Sequence, residues 1–200
     1  APLASLIGRR RHELTLRVRR QIHVDRGAAH SPIDAGRARA HEFLADGSWQ
    51  HVYGRNRVHQ HGHYGNAVLS RFPIVSSDNE DVSDHRFERR GLLHTVVKVP
   101  GWKRNLHCVC VHLSLHERGR RRQLDAIAAR LEEIADNRLP IIVAGDFNDW
   151  RQRASRILEH SLGMTEVSVA ANGRQVPTYP SVLPLLRLDR IYVRGFKVLS

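Results

Sequence analysis

The residues best suited to chemistry sit at the end of one short apolar run, where Ile141-Ile142-Val143-Ala144-Gly145 leads into Asp146, Phe147 and Asn148. A carboxylate and a carboxamide supply hard oxygen ligands that suit Mg²⁺ or Mn²⁺. The amide can also donate to a phosphate oxygen, and the carboxylate can hold a water for attack at phosphorus. The run is brief, β-branched and without polar alternation, which predicts a strand buried on both faces. Pro140 suits its start, where no ladder N–H is needed, and Gly145 permits a tight turn at its end. Open α/β sheets bind ligands at strand ends, so Asp146 and Asn148 are candidate metal ligands and catalytic residues. Asp and Asn also build ordinary turns, and this stretch alone does not choose between the two.

Three further stretches surround it: Gly65-Asn66-Ala67-Val68-Leu69-Ser70-Arg71-Phe72-Pro73-Ile74, Val111-His112-Leu113-Ser114 and Arg187-Leu188-Asp189-Arg190-Ile191-Tyr192-Val193. In this order around Gly145-Asp146-Phe147-Asn148 they resemble the endonuclease/exonuclease/phosphatase superfamily, the fold of pancreatic deoxyribonuclease, and within it a bacterial uncharacterised subgroup. The resemblance runs from about Glu42 to about Val193. It implies an α/β fold in which two β-sheets pack face to face as a sandwich flanked by helices, a four-layer arrangement expected here to be incomplete at both ends. It also implies metal-dependent hydrolysis of a phosphodiester or phosphomonoester. In that reading Asp146 positions or deprotonates water, Asn148 and His112 bind phosphoryl oxygens, and Asp189 orients an imidazole much as a triad Asp does. Asn66, Arg71 and Arg90 are candidate phosphate or substrate contacts, Asn66 equally a residue that holds its own loop. Three family features lack a match, the first being the Asn that the resemblance implies on the family's first strand. The position of the family's principal metal-ligand Glu falls on Ile22, in Gln21-Ile22-His23-Val24-Asp25, and the family's closing Ser-Asp-His is not reached before Ser200. Ser83-Asp84-His85 precedes the Asp146 motif and is read as a surface loop.

The elements that must position these residues follow from pattern. Leu92 to Val99 and Asn105 to His112 predict a hairpin around Pro100-Gly101, opened by Arg90-Gly91. His112 then ends the second strand, where a capped strand-end His is the plain alternative. Leu124, Ile127, Ala128, Leu131, Ile134 and Ala135 recur at helical spacing and predict a helix over Glu117 to Asn137. Arg118, Arg120, Arg121 and Arg122 crowd its first turn, the end that repels cations, so a solvated helix start is expected. Ala154 to His160 predicts a short helix, Pro177 to Pro180 a loop, and Leu188 to Val193 a strand with Asp189 inside it. Ala67 to Leu69 predicts a short strand, and the alternation of Leu14, Leu16 and Val18 a half-exposed one. His41 to Asp46 reads as a helix end. Tyr53 to His63, with alternating His59, His61 and His63, reads as a loop at a substrate mouth rather than a transition-metal site.

Length suits one domain with a sizeable core. Residues 1–40 form an atypical Arg-rich segment, and residues 41–200 carry the superfamily pattern. The 32 Lys and Arg against 20 Asp and Glu leave a net charge of +12. Such a field attracts nucleic acid or anionic phospholipid, although Lys stands only at 98, 103 and 197 and an arginine skew can also reflect genome composition. No apolar run approaches membrane-spanning length, and no signal-peptide pattern opens the chain. The first residue is Ala, which suggests a processed or truncated start. Cys108 and Cys110 fall on one face of a strand, poorly placed to bridge each other. They read as core thiols in a reducing compartment, the cytoplasm. The functional expectation is a divalent-metal-dependent phosphoester hydrolase of nuclease-like type. Its alternatives are an inactive member that only binds anionic ligands, and a phospholipid-headgroup phosphodiesterase.

Overall fold

The computed structural model describes residues 5–7, 13–25, 49–59, 62–85, 87–134, 139–180 and 182–198, with backbone alone over 5–25 and at 59 and 62. Strands β1 (Ser5–Ile7), β2 (Glu13–Asp25), β3 (Gln50–His59) and β4 (Gly62–Ser70) form an antiparallel sheet in the order β1-β2-β4-β3. Strands β5 (Ile74–Asp81), β6 (Gly91–Val97), β7 (Leu106–His112), β8 (Ile141–Asp146), β9 (Thr165–Glu166) and β10 (Asp189–Arg194) form the second sheet, ordered β5-β6-β7-β8-β10-β9. Helix α1 (Glu117–Ile134) makes the crossover between β7 and β8, which run parallel. The short helix α2 (Arg153–Ser155) passes into a π-helical turn (Arg156–Ser161), and α3 (Val167–Asn172) follows β9.

The period of two along each strand sorts side chains onto two faces of the second sheet. One set, Val109, Val111, Ile141, Val143 and Tyr192, packs under Leu124, Ile127 and Leu131 of α1. Burying each of these leucines and isoleucines stabilises the domain by about 1.5–3 kcal/mol. The other set, Cys108, Cys110, Ile142, Ala144 and Val193, meets Val68 of β4 and forms the layer between the sheets. The expected sandwich with helices outside is therefore observed. Among the described residues, no helix covers the outer face of the first sheet. Cys108 and Cys110 are fully buried and not joined in a disulfide. Burial pushes the Cys108 thiol up, and pushes Cys110 up to about 12.

The hairpin, the crossover helix and the last strand fall close to their expected bounds. Helix α1 is described to Ile134, and the end expected at Asn137 lies outside the described residues. The stretch read as a loop from Tyr53 to His63 is instead β3 and the start of β4, paired from Gln50↔Ser70 to His59↔Gly62. Its glycines explain the difference: a Cβ on Gly65 would lie 1.9 Å from the Gly54 carbonyl oxygen, so glycines let two strands approach where periodicity is weak. His63 is the one of the three alternating histidines whose side chain is described. Its Nδ1 lies 2.9 Å from the Tyr53 hydroxyl, while His61 and the His59 side chain lie outside the described residues. The alternating Leu14, Leu16 and Val18 do form a strand, since β2 pairs antiparallel with β4 through a shift between Arg19 and Ile22. The helix end at His41 to Asp46 and the segment boundary near residue 40 lie outside the described residues.

Candidate active site

Strand register brings the principal candidates into one row. His112 on β7 is the Cα partner of Asp146 on β8, and Asp146 is the partner of Asp189 on β10. Directly paired residues point to the same face. For these three it is the face of Cys110, Ala144 and Ile191, so the row closes the inter-sheet layer at its polar end. Asp146 is itself the last residue of β8 rather than a residue beyond the strand.

The turn that follows is laced to both neighbouring strands. Leu113 N donates to the Asp146 carbonyl oxygen at 2.8 Å, and Phe147 N to the Leu188 carbonyl oxygen at 2.8 Å. Phe147 is fully buried and meets the Tyr192 ring edge-on at 5.2 Å. Asn148 sits at φ 47°, a left-handed conformation that Asn tolerates. Its N–H donates to Asp146 Oδ1 at 2.9 Å and its Nδ2 to the Leu113 carbonyl oxygen at 2.8 Å. That fixes the amide, leaving Oδ1 without a donor among the described residues. Gly145 is required one residue earlier. At φ +149° its missing Cβ would stand 1.9 Å from the Val111 carbonyl oxygen, so any side chain would push β7 away from β8.

His112 Nε2 lies 3.7 Å from Asp146 Oδ2, with both side chains nearly buried. On the other side of the ring, Arg90 Nη1 lies 3.4 Å from His112 Nδ1. A guanidinium only donates, so Nδ1 accepts, and the neutral ring carries its proton on Nε2 facing the carboxylate. The Nε2 to Oδ2 gap is wider than a direct hydrogen bond and suits a bridging water that accepts from Nε2 and donates to Oδ2.

Arg90 is held in turn by Glu88, a residue the sequence reading did not single out. Arg90 Nη2 donates to Glu88 Oε1 at 2.8 Å, Leu115 N to the same oxygen at 3.2 Å, and the Ser114 hydroxyl to Oε2. Burial pushes the Glu88 carboxyl up, but the Ser114, Leu115 and Arg90 donors outweigh it and hold it below the ordinary glutamate range. The only sequence signal for Glu88 was its place just before the Arg90-Gly91 strand opening.

Other candidates fall elsewhere. Asn66 is fully buried, and its Nδ2 donates to the carbonyl oxygens of Gly91 at 2.8 Å and Cys110 at 3.2 Å. It pins the first sheet to the second, the structural role of its two. Arg71 is not brought to the row. It follows β4 at the end where Pro73 bonds Lys98, the opposite end of β6 from Gly91, and its guanidinium lies 4.9 Å over the Trp49 ring. An alternating strand of this length carries Asn66 and Arg71 to opposite ends of the sandwich. The expected solvated start of α1 is also corrected at Arg120, which is buried, donates to the Ser114 and Leu115 carbonyl oxygens at 3.1 and 2.7 Å, and lies 4.8 Å over Trp150. Asp84 of the Ser83-Asp84-His85 loop pairs with Arg122.

Asp146 and Asn148 fit the hard-oxygen part of a Mg²⁺ or Mn²⁺ site. Among the described residues, no three His, Cys, Asp or Glu side chains form a protein-only metal cage. Two protein oxygens accord with Mg²⁺, which keeps waters and shares substrate phosphate.

The model of the endonuclease/exonuclease/phosphatase family matches residues 19–200. The uncharacterised protein YbhP of Escherichia coli is 48% identical over 156 residues, which cover 78% of this chain and 61% of YbhP. The chain thus spans less than two thirds of that relative. An endonuclease/exonuclease/phosphatase from Beutenbergia cavernae superposes with a TM-score of 0.64 at 20% identity, covering 90% of this chain and 55% of that one. A mannosyl-6-phosphatase from Bacteroides thetaiotaomicron superposes with a TM-score of 0.61 at 14% identity, covering 74% and 63%. With the family model extending over nearly the whole described fold, this chain belongs to the endonuclease/exonuclease/phosphatase family.

Proposed function

We propose that this domain hydrolyses phosphoesters, with the centre of reaction between His112 and Asp146. The observation that carries this reading is the 3.7 Å approach of His112 Nε2 to Asp146 Oδ2 at the polar end of the inter-sheet layer. Asp146 accepts a proton from the attacking water at Oδ2. His112 donates from Nε2 to the phosphoryl oxygen on which charge develops, with Arg90 and Glu88 holding the ring. Asn148 presents a fixed oxygen beside Asp146. Asp189 completes the row and orients whatever imidazole or water lies against it.

Asp146, through the carboxylate oxygen that does not take the proton, and Asn148 Oδ1 would hold Mg²⁺ or Mn²⁺. Bound there, the ion supplies charge neutralisation at the phosphate and the leaving oxygen. The substrate is a phosphodiester or phosphomonoester, with nucleic acid favoured by the net charge of +12. Two buried thiols not joined in a disulfide suit a reducing compartment such as the cytoplasm.

The test is hydrolysis of a chromogenic phosphodiester, a chromogenic phosphomonoester and plasmid DNA, with MgCl₂ or MnCl₂ against a chelator. Activity that needs the metal and disappears in both Asp146→Asn and His112→Ala supports the reading. Absence of turnover on every substrate, or turnover indifferent to both substitutions, overturns it.

A further inference from the structure

The loop between α3 and β10 is built unlike the rest of the surface. From residue 167 to residue 188 the sequence has no acidic side chain, and Arg174 and Arg187 stand on either side of Val182, Leu183, Leu185 and Leu186. Val182 is 95% exposed, Leu183 66% and Leu185 69%. Large apolar side chains clustered in water signal an interaction surface.

The loop is ordered at its base. Thr178 N donates to the Leu186 carbonyl oxygen at 2.8 Å, and Leu185 N and Leu186 N donate to the Tyr179 carbonyl oxygen at 2.8 Å. Thr178 Oγ1 accepts from Leu188 N at 3.3 Å and from Asp189 N at 3.0 Å. The apolar tip is thereby tied to the residue that ends the His112-Asp146-Asp189 row. Trp150, 51% exposed, stands at the same end of the sheet, one residue past Asp149.

We infer that residues 182–187, with 176–180 as their base, form a membrane-surface anchor that inserts its leucines and valine among the acyl chains of an anionic bilayer. Three features favour a fluid lipid surface. The apolar side chains are exposed together on one loop, where an interface can receive them without a shaped partner. The segment lacks any carboxylate that anionic headgroups would repel. Its flanking Arg174 and Arg187 are both exposed and supply the charge that such headgroups attract. This anchor is independent of whether the site turns over substrate.

The test is flotation of the full 200-residue chain with vesicles of phosphatidylcholine mixed with phosphatidylglycerol, and of phosphatidylcholine alone. The wild type is expected to float with the mixed vesicles and to partition weakly to the neutral ones. Leu183→Asp combined with Leu185→Asp is expected to lower partitioning at least about tenfold. Asp146→Asn is expected to leave it unchanged. Val182→Trp gives a gain of signal at an exposed position: its emission should shift to the blue, and brominated acyl chains should quench it, only with mixed vesicles. The inference is overturned if the wild type stays with the soluble fraction, if the double aspartate variant binds as well as wild type, or if the new tryptophan keeps its emission in water. Binding abolished by salt yet indifferent to the leucine substitutions would reduce the interaction to charge alone and overturn it as well.

Discussion

Asp146 and Asp149 stand three residues apart in the sequence, both are buried, and the fold treats them differently. Asp149 is clamped by a permanent cation. Arg190 Nη1 lies 3.6 Å from its Oδ2, with each side chain 1% exposed, and Ala154 N donates to the same oxygen at 2.7 Å. Arg190 also donates to the Asp149 carbonyl oxygen, and to the Tyr192 hydroxyl at 3.2 Å. Asp146 faces a histidine across a gap, with side chains 12% and 7% exposed. A carboxylate locked by a guanidinium in a dry setting holds a fold together. A carboxylate facing an imidazole can gain and lose partners. The strand period explains the separation: Asp189 shares the inter-sheet face with Ile191 and Val193, while Arg190 and Tyr192 turn to the outer face. Alternate residues of β10 thus face the His112-Asp146 row and the outer scaffold.

The sharpest way to break this contrast is to remove each acid in turn. Asp146→Asn is expected to lower phosphoester hydrolysis by about 10²–10⁴-fold while the thermal midpoint stays near wild type. Asp149→Ala is expected to strand a buried Arg190 and destabilise the domain by about 3–5 kcal/mol, read as a fall in denaturant midpoint at constant slope. Pairing Asp149→Leu with Arg190→Met removes both charges, and most of that loss should return. If the two single substitutions exchange their effects, the roles of the two acids are reversed.

Asp146 was legible because its oxygen chemistry sits at the end of an apolar, two-face-buried run, a local pattern. Asp149 and Arg190 were not singled out. Their pairing depends on the antiparallel register of β8 with β10, in which Arg190 meets Gly145, and sequence spacing does not reveal a partner 41 residues away. For the same reason Glu88 escaped notice: its meaning lies in Ser114, Leu115 and Arg90 converging on it. Helix α1 was readable from its period, whereas β5 was not, because an edge strand paired only to β6 keeps a polar, exposed pattern. Arg71 was misplaced because a motif gives order along the chain and not position along a strand.

A third variant sharpens the contrast by acting on Asp146 only through its histidine. Glu88→Gln keeps the size of the side chain but weakens the hold on Arg90, and so on the ring whose Nδ1 it meets. Hydrolysis is expected to fall about tenfold, the scale seen when an orienting partner of an active-site histidine is removed. The loss should fall on kcat more than on KM, and Asp149-dependent stability should not move. A loss confined to stability would make Glu88 a loop clamp without influence on the site.

The smallest effect is a control on pH, since both acids would otherwise be blamed for any loss in acid. His94 on β6 is held by burial, and then by its neighbours His107 and Arg130, down to about 4 from an ordinary 6.5, with Asp78 opposing weakly. Its Nε2 lies 3.0 Å from His107 Nδ1, and the two rings stack at 5.2 Å. Burial also lowers His107. In the unfolded chain His94 takes up a proton near 6.5, in the folded chain only near 4, so below 6.5 the unfolded state binds more protons. The stability this group contributes is therefore complete above about pH 6.5 and is lost as pH falls towards about 4. Chemical denaturation across that window should show the slope, and His94→Gln should flatten it without moving the Asp146-dependent activity profile. Should the full slope survive in His94→Gln, the acid sensitivity would have to come from other buried groups, and the division of labour between Asp146 and Asp149 would be the first assignment to re-examine.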